Sequence, residues 1–256
     1  MSSLFDLSGR TAVVTGGSRG IGLMIAQGLL EAGASVVISS RNAEACEAAR
    51  AQLAEFGEVT AIPADLSQEG ECHRLADAVR ARHDGVHILV NNAGATWGAP
   101  IEEFPADAWD KVLDLNLKSP FFLTQAFLPD LAETATTKSP SRIINIGSVD
   151  GLSVPSLPNY SYAASKAGLH HLTRVLAVEL GPRSITCNTV APGPFATKMM
   201  ARTLEERSDE FIGQTPLGRL GEPDDIAGTV VYLSSRAAGY VTGALLTVDG
   251  GLSLNR

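Results

Sequence analysis

The sequence is poor in cysteine: Cys46, Cys72 and Cys187 are odd in number and scattered over 256 residues. That spacing fits neither a disulfide framework nor a zinc site, so three reduced, packed thiols are expected. Long apolar runs are missing too; none reaches the ~18 residues that a helix needs to cross a bilayer. The first ten residues lack the basic-then-apolar order of a secretory signal, since Asp6 and Arg10 flank only a few apolar positions. A cytoplasmic protein with no membrane partner is expected. There is no Lys/Arg cluster, and the formal net charge is −8. An acidic chain repels phosphate backbones, so nucleic acid is not an expected partner. His73, His83, His87, His170 and His171 follow no ligand spacing. No metal site is expected, and His170 and His171 read as packed or interfacial. No linker, repeat or charge block divides the chain, which is expected to form one domain over residues 1–256.

What is present is an alternation. Thr11–Thr15 (TAVVT) is a β-branched run of the kind buried on both faces of a parallel sheet. Ser35–Ser39, Val59–Ile62, Val86–Val90, Arg142–Ile146, Ser184–Val190 and Leu245–Val248 read as further strands. Between them Ile21–Ala32, Ala43–Glu55, Gln68–His83, Pro105–Leu115, Phe121–Glu133, Tyr160–Leu180 and Pro223–Ser234 read as helices. Strand–helix alternation with short connections predicts βαβ crossovers: an α/β, doubly wound fold with seven parallel strands and helices on both faces. Ligands of such folds sit at the carboxyl ends of the strands, near the reversal of strand order.

The first strand runs into Thr15-Gly16-Gly17-Ser18-Arg19-Gly20-Ile21-Gly22. Glycines allow a backbone to approach a pyrophosphate, and the following helix offers free N–H groups at its positive end. The spacing is G-x-x-x-G-x-G rather than the commoner G-x-G-x-x-G. Many NAD-binding folds carry an acid after the second strand to hold the adenosine ribose. Here that stretch is Ile38-Ser39-Ser40-Arg41-Asn42, with no acid before Glu44. Arg41, with Arg19 in the turn, suits a 2′-phosphate and favours NADP(H) as cofactor. Asp65 follows the third strand, Asn91-Asn92-Ala93-Gly94 the fourth, and Ser148 the fifth. Tyr162 and Lys166 lie four residues apart, so they share one helical face. A neighbouring ammonium is expected to lower the phenol's pKa towards working pH, and Ser148 to hold a substrate oxygen beside it. Tyr160 faces elsewhere on that helix.

Taken in order, the TGGSRGIG turn, Asp65, NNAG, Asn116, Ser148, Tyr162/Lys166 and Pro192-Gly193 resemble the short-chain dehydrogenase/reductase family in its Tyr-x-x-x-Lys branch. The resemblance spans about Leu7 to Gly251 and implies a Rossmann-like fold. It implies that Gly16, Ser18, Arg19, Gly20, Ile21 and Gly22 line the cofactor phosphates and ribose, and that Asp65 and Leu66 touch the adenine. Asn92, Ala93 and Gly94 would border the nicotinamide-side ribose. Asn116 would hold a water next to Lys166, which would also bond that ribose. Pro192, Gly193 and Thr197 belong to the loop expected to bind the carboxamide. The catalytic set so implied is Ser148, Tyr162, Lys166 and Asn116. Relatives form homotetramers, and the same assembly is expected here.

The expected substrate walls are Ala95, Thr96, Trp97, residues 149–157 and the segment after Pro192, with residues 195–213 as a helical lid bearing Met199, Met200, Leu204 and Phe211. The pattern is most similar to β-ketoacyl reductases, including the rhamnolipid-biosynthesis type. The implied substrate is a small carbonyl or alcohol, as a CoA or carrier-protein thioester or a free β-keto compound. Acids such as Asp130, Glu133 and Glu179 stand where an acidic carrier would want bases. Steroid, sugar and other secondary-alcohol dehydrogenases are the alternative. A non-catalytic nucleotide-binding member is disfavoured by the complete Ser148, Tyr162, Lys166 and Asn116 set.

Overall fold

The computed structural model describes residues 4–255. Seven parallel strands form one sheet in the order β3-β2-β1-β4-β5-β6-β7. They are β1 (Thr11–Thr15), β2 (Ser35–Ser39), β3 (Val59–Ala61), β4 (Ile88–Asn91), β5 (Ser141–Ile146), β6 (Ile185–Pro192) and β7 (Leu245–Val248). The helices are α1 (Gly20–Glu31), α2 (Ala43–Leu53), α3 (Glu69–Arg80), α4 (Ala106–Leu113), α5 (Ser119–Thr134), α6 (Tyr160–Leu180), α7 (Ala201–Gln214) and α8 (Pro223–Ser234).

The pleat explains why the central strands carry no polar face. Along β1 and β2, Val14, Val36 and Ile38 enter one apolar cluster with Ile25 and Leu29 of α1 and Ile226 and Val230 of α8. Val13 and Val37 point the other way, into a second cluster with Leu75 of α3, Phe127 of α5 and Leu176 of α6. Alternate residues thus supply two cores, and both faces exclude water. The order reverses between β1 and β4, which pair directly, and a crevice opens at their carboxyl ends.

Several element boundaries differ from the sequence-based expectation, and β6, β4 and the junction of α4 with α5 show why. Strand β6 starts at Ile185 because Ser184 adopts φ +58, closing the turn Gly181–Arg183. It runs on to Pro192, which needs no ladder donor at a strand end. Strand β4 begins at Ile88, two residues later than Val86. Helices α4 and α5, read as separate, are joined by a π-helical turn over Asp114–Lys118. Such widened turns often occur at functional sites, and this one carries Asn116.

Candidate active site

The first wall is the turn between β1 and α1. Gly16 has φ +66, and a Cβ on Gly22 would collide with the Gly16 carbonyl and the Asn92 amide, so both positions need glycine. Asn92 is drawn in because its side chain donates to the Thr15 carbonyl at 2.8 Å. The Thr15 hydroxyl oxygen accepts from the Asn92 and Ala93 N–H groups, each at 3.0 Å. The crevice is therefore stitched across the point where strand order reverses. Arg19, at the cap position of α1, gives no side-chain cap, and no acid lies in the helix's first turn. That leaves positive N–H groups facing a cleft. Arg19 and Arg41 both line it, and neither forms an ion pair among the described residues. A dinucleotide bearing an extra phosphate fits this donor set.

The cleft measures about 730 Å³. Gly16, Ser18, Arg19, Gly20, Ile21, Gly22, Arg41, Leu66, Asn92, Ala93 and Gly94 line it, as do Ser148, Tyr162, Lys166, Pro192, Gly193 and Thr197. Asp65 does not: its carboxylate accepts from the Ser67 N–H and hydroxyl, and Ala64 and Leu66 form the wall instead.

At the far end α6 sets Tyr162 and Lys166 one turn apart, with the Lys166 Nζ 5.6 Å from the phenol ring centre. The ammonium donates to the Ile146 carbonyl at 2.7 Å and is buried. The Ser148 hydroxyl oxygen accepts the Asp150 N–H at 3.1 Å, which leaves its own hydrogen for another partner. The phenol's pKa is shifted in the opposite direction to the expected lowering. Burial pushes Tyr162 up to about 12, against the opposing hydrogen bond from Ser148; the Asp150 carboxylate pushes the same way as burial. Burial also draws Lys166 down to about 8, so desolvation acts on both members of the pair at once.

Asn116 bonds Ser165, next to Lys166 on α6, and its side chain is fully engaged. Its amide donates to the Ala95 carbonyl at 2.9 Å and to Ser165 at 3.0 Å, and its oxygen accepts from the Ala95 N–H at 2.8 Å. The side chain thus ties the loop after β4 to α6 and has no donor left for a water.

The substrate end is walled by Thr96, Val149, Asp150, Pro155, Ser156, Leu157, Met199, Met200 and Phe211. Ala95, Trp97 and Leu204 are not on the wall. Trp97 turns outward and is half-exposed beneath Lys111, whose Nζ is 6.0 Å from the indole. Tyr160 also stays outside, packed edge-on against Phe104 at 5.6 Å. Sequence reasoning missed Asn159 and Leu252 on the wall. Asn159 donates to the Asp150 carboxylate at 3.0 Å, and the Asn beside the start of α6 was the available signal. Leu252 arrives from the turn after β7 and carried none.

A family model described as enoyl-(acyl carrier protein) reductase matches residues 16–253. The rhamnolipids biosynthesis 3-oxoacyl-[acyl-carrier-protein] reductase of Pseudomonas aeruginosa is 45% identical, covering 99% of this chain and 100% of that protein. The chain belongs to the short-chain dehydrogenase/reductase family. Among its short-chain dehydrogenase/reductase relatives, the gluconate 5-dehydrogenase of Gluconobacter oxydans is 37% identical over 98% of both chains. The solved Pseudomonas aeruginosa RhlG/NADP active-site complex superposes with a TM-score of 0.96 at 45% identity, covering 99% of this chain and 100% of that one.

Proposed function

We propose that this protein is an NADP(H)-dependent reductase that interconverts a ketone and a secondary alcohol, with a neutral 3-oxoacyl thioester as its substrate. The observation that carries the reading is convergence. Ser148, Tyr162 and Lys166 line one end of the cleft whose other end carries Arg19 and Arg41. Relatives named for 3-oxoacyl reduction and a solved NADP complex support it.

The nicotinamide, when bound, supplies the hydride. As the carbonyl carbon is reduced, negative charge develops on oxygen. Ser148 donates a hydrogen bond to that oxygen, and Tyr162 transfers its proton there. A phenol whose burial opposes ionisation is correctly protonated for this step. Lys166 would hold the nicotinamide ribose, and it returns a proton to Tyr162. With the Asn116 side chain occupied, its main-chain carbonyl in the π turn is the atom we assign to the relay water. Asp65 would meet the adenine through its surroundings rather than across the cleft wall. Residues 195–213, including α7, act as the lid, with Met199, Met200 and Phe211 repacking on the acyl chain.

Two tests lie in this site. The reduction rate is expected to fall as pH rises through about 8, because Lys166 loses its proton there and with it the relay. A pH–rate profile flat well beyond that value would remove Lys166 from the role. The second test concerns charge. Among the described residues Asp150 is the one carboxylate on the cleft wall, where Asn159 donates to it at 3.0 Å. It disfavours the anionic keto acids and sugar acids that a gluconate dehydrogenase handles, and tolerates a thioester whose carbonyls are neutral. NADPH oxidation should be at least about 10-fold faster with acetoacetyl-CoA than with acetoacetate, a difference of about 1.4 kcal/mol, and Asp150→Asn should narrow the gap. Equal or greater rates with a keto sugar acid or a cyclic ketone would favour the sugar or secondary-alcohol alternative.

We further propose a homotetramer in the cytoplasm. Phe121 on α5 and Val175 and Val178 on α6 are exposed apolar side chains that a second copy would cover. The three cysteines are buried free thiols, which suits a reducing compartment. Light scattering gives the mass directly.

A further inference from the structure

One buried titratable group has no part in the chemistry above. His170 stands one turn beyond Lys166 on α6, so Tyr162, Lys166 and His170 form a single stripe at i, i+4 and i+8. It is only 5% exposed. Its ring fills the space under the turn that carries Ser148. A Cβ on Gly147 would lie 2.8 Å from the ring Cδ2, and a Cβ on Gly151 2.7 Å from Cε1. The imidazole is the nearest neighbour at both glycines, although at Gly151 the α6 backbone at Lys166 and Ala167 stands almost as close, at 2.8 Å. Between them the Ser148 N–H donates to His170 Nε2 at 3.4 Å. An N–H aimed at Nε2 requires that nitrogen to be bare, which assigns the proton to Nδ1.

We propose that His170 is a positioning residue: its neutral ring accepts the Ser148 N–H, packs against Gly147 and Gly151, and so sets where the Ser148 hydroxyl stands for the substrate oxygen. The proposal rests on the reading of Ser148 given above. The surroundings keep the ring neutral. Burial, the Lys166 ammonium in the preceding turn and the Arg174 guanidinium in the next push it down to about 4, against an opposing bond with the Gly151 backbone. A protonated ring would turn a second donor on the Ser148 N–H and open the turn. A few tenths of an ångström at such a hydroxyl matters, because catalysis depends on donors aimed where charge develops.

The test uses His170→Leu, which fills space without an acceptor, and His170→Gln, which restores one. The Leu variant is expected to keep NADPH affinity within about 2-fold and lose about 10-fold in kcat, with a larger isotope effect from deuterated NADPH as hydride transfer limits the rate. The Gln variant is expected to recover most of that loss. In a Ser148→Ala background, His170→Leu should cost nothing more, since its effect passes through Ser148. Should the Leu variant not fold, His170→Met makes the same comparison. An unchanged kcat, an equal loss in Gln and Leu, or a full additional loss in the Ser148→Ala background would overturn the assignment. Hydrogen exchange at the Ser148 amide reads the clamp independently of turnover. Protection in the wild type that is lost in the Leu variant supports it, and protection that survives sinks it. A wild type with a protected amide but no NADPH oxidation would instead count against the proposed function.

Discussion

Replacing Tyr162 with Phe is expected to lower kcat for ketone reduction by about 10³-fold while leaving NADPH affinity within about 2-fold, the scale of a lost general acid. The change removes one oxygen from a buried side chain. The ring keeps its place 5.6 Å from the Lys166 Nζ, and the hydroxyl's partner Ser148 keeps its Asp150 N–H contact. Folding should therefore survive. What is lost is the phenolic proton donor that shares the cleft wall with Ser148 and Lys166. Single-turnover measurement of NADPH oxidation checks the rate, and fluorescence titration of NADPH checks the binding. A variant that turns over near the wild-type rate would show that the proton comes from elsewhere.

The double variant Arg19→Ala with Arg41→Ala is expected to raise the KM for NADPH by about 10²-fold or more and to leave that for NADH within a few-fold. Hydrogen bonds to charged groups contribute about 1.5–3 kcal/mol each, so two arginines on one phosphate reach that scale even after solvent screening. Both side chains line the adenosine end of the cleft. Neither is committed to a carboxylate among the described residues, and the stretch from Ile38 to Asn42 offers no acid to hold a ribose diol instead. A parallel loss for both cofactors would mean that the arginines hold the turn rather than the phosphate. Steady-state kinetics with each nucleotide separates these outcomes.

Much of this could be read in the chain. The alternation of β-branched runs with amphipathic segments gave the seven strands nearly to the residue. Strand edges slipped where a backbone conformation, not a side chain, decides. Ser184 is an example, its left-handed φ invisible in a Ser-Ile-Thr run. The phosphate-side residues were legible because the close approach demands glycine, and glycine is a distinctive letter. Asp65 was placed on the cleft by resemblance, and in the structure one of its carboxylate oxygens accepts from a serine two residues later. Trp97 was assigned to the wall, but Lys111, on a different helix, offers its ring a cation outside. His170 read as ordinary packing. Its meaning depends on Gly147 and Gly151, which the fifth strand brings beneath it from some twenty residues upstream.

The local pattern of the sequence determined the order of elements, the doubly wound sheet, the arginines in place of an acid and the pairing of Tyr162 with Lys166. Those features depend on period and spacing, which a linear string carries in full. Only the tertiary structure decided how deeply the pair is buried, and hence that the phenol is pushed up to about 12 and the ammonium down to about 8. It alone joined Asn116 to Ala95 and Ser165, and His170 to the Ser148 turn. Desolvation and hydrogen-bond satisfaction are sums over neighbours distant in sequence, so they exist only once the chain has closed on itself.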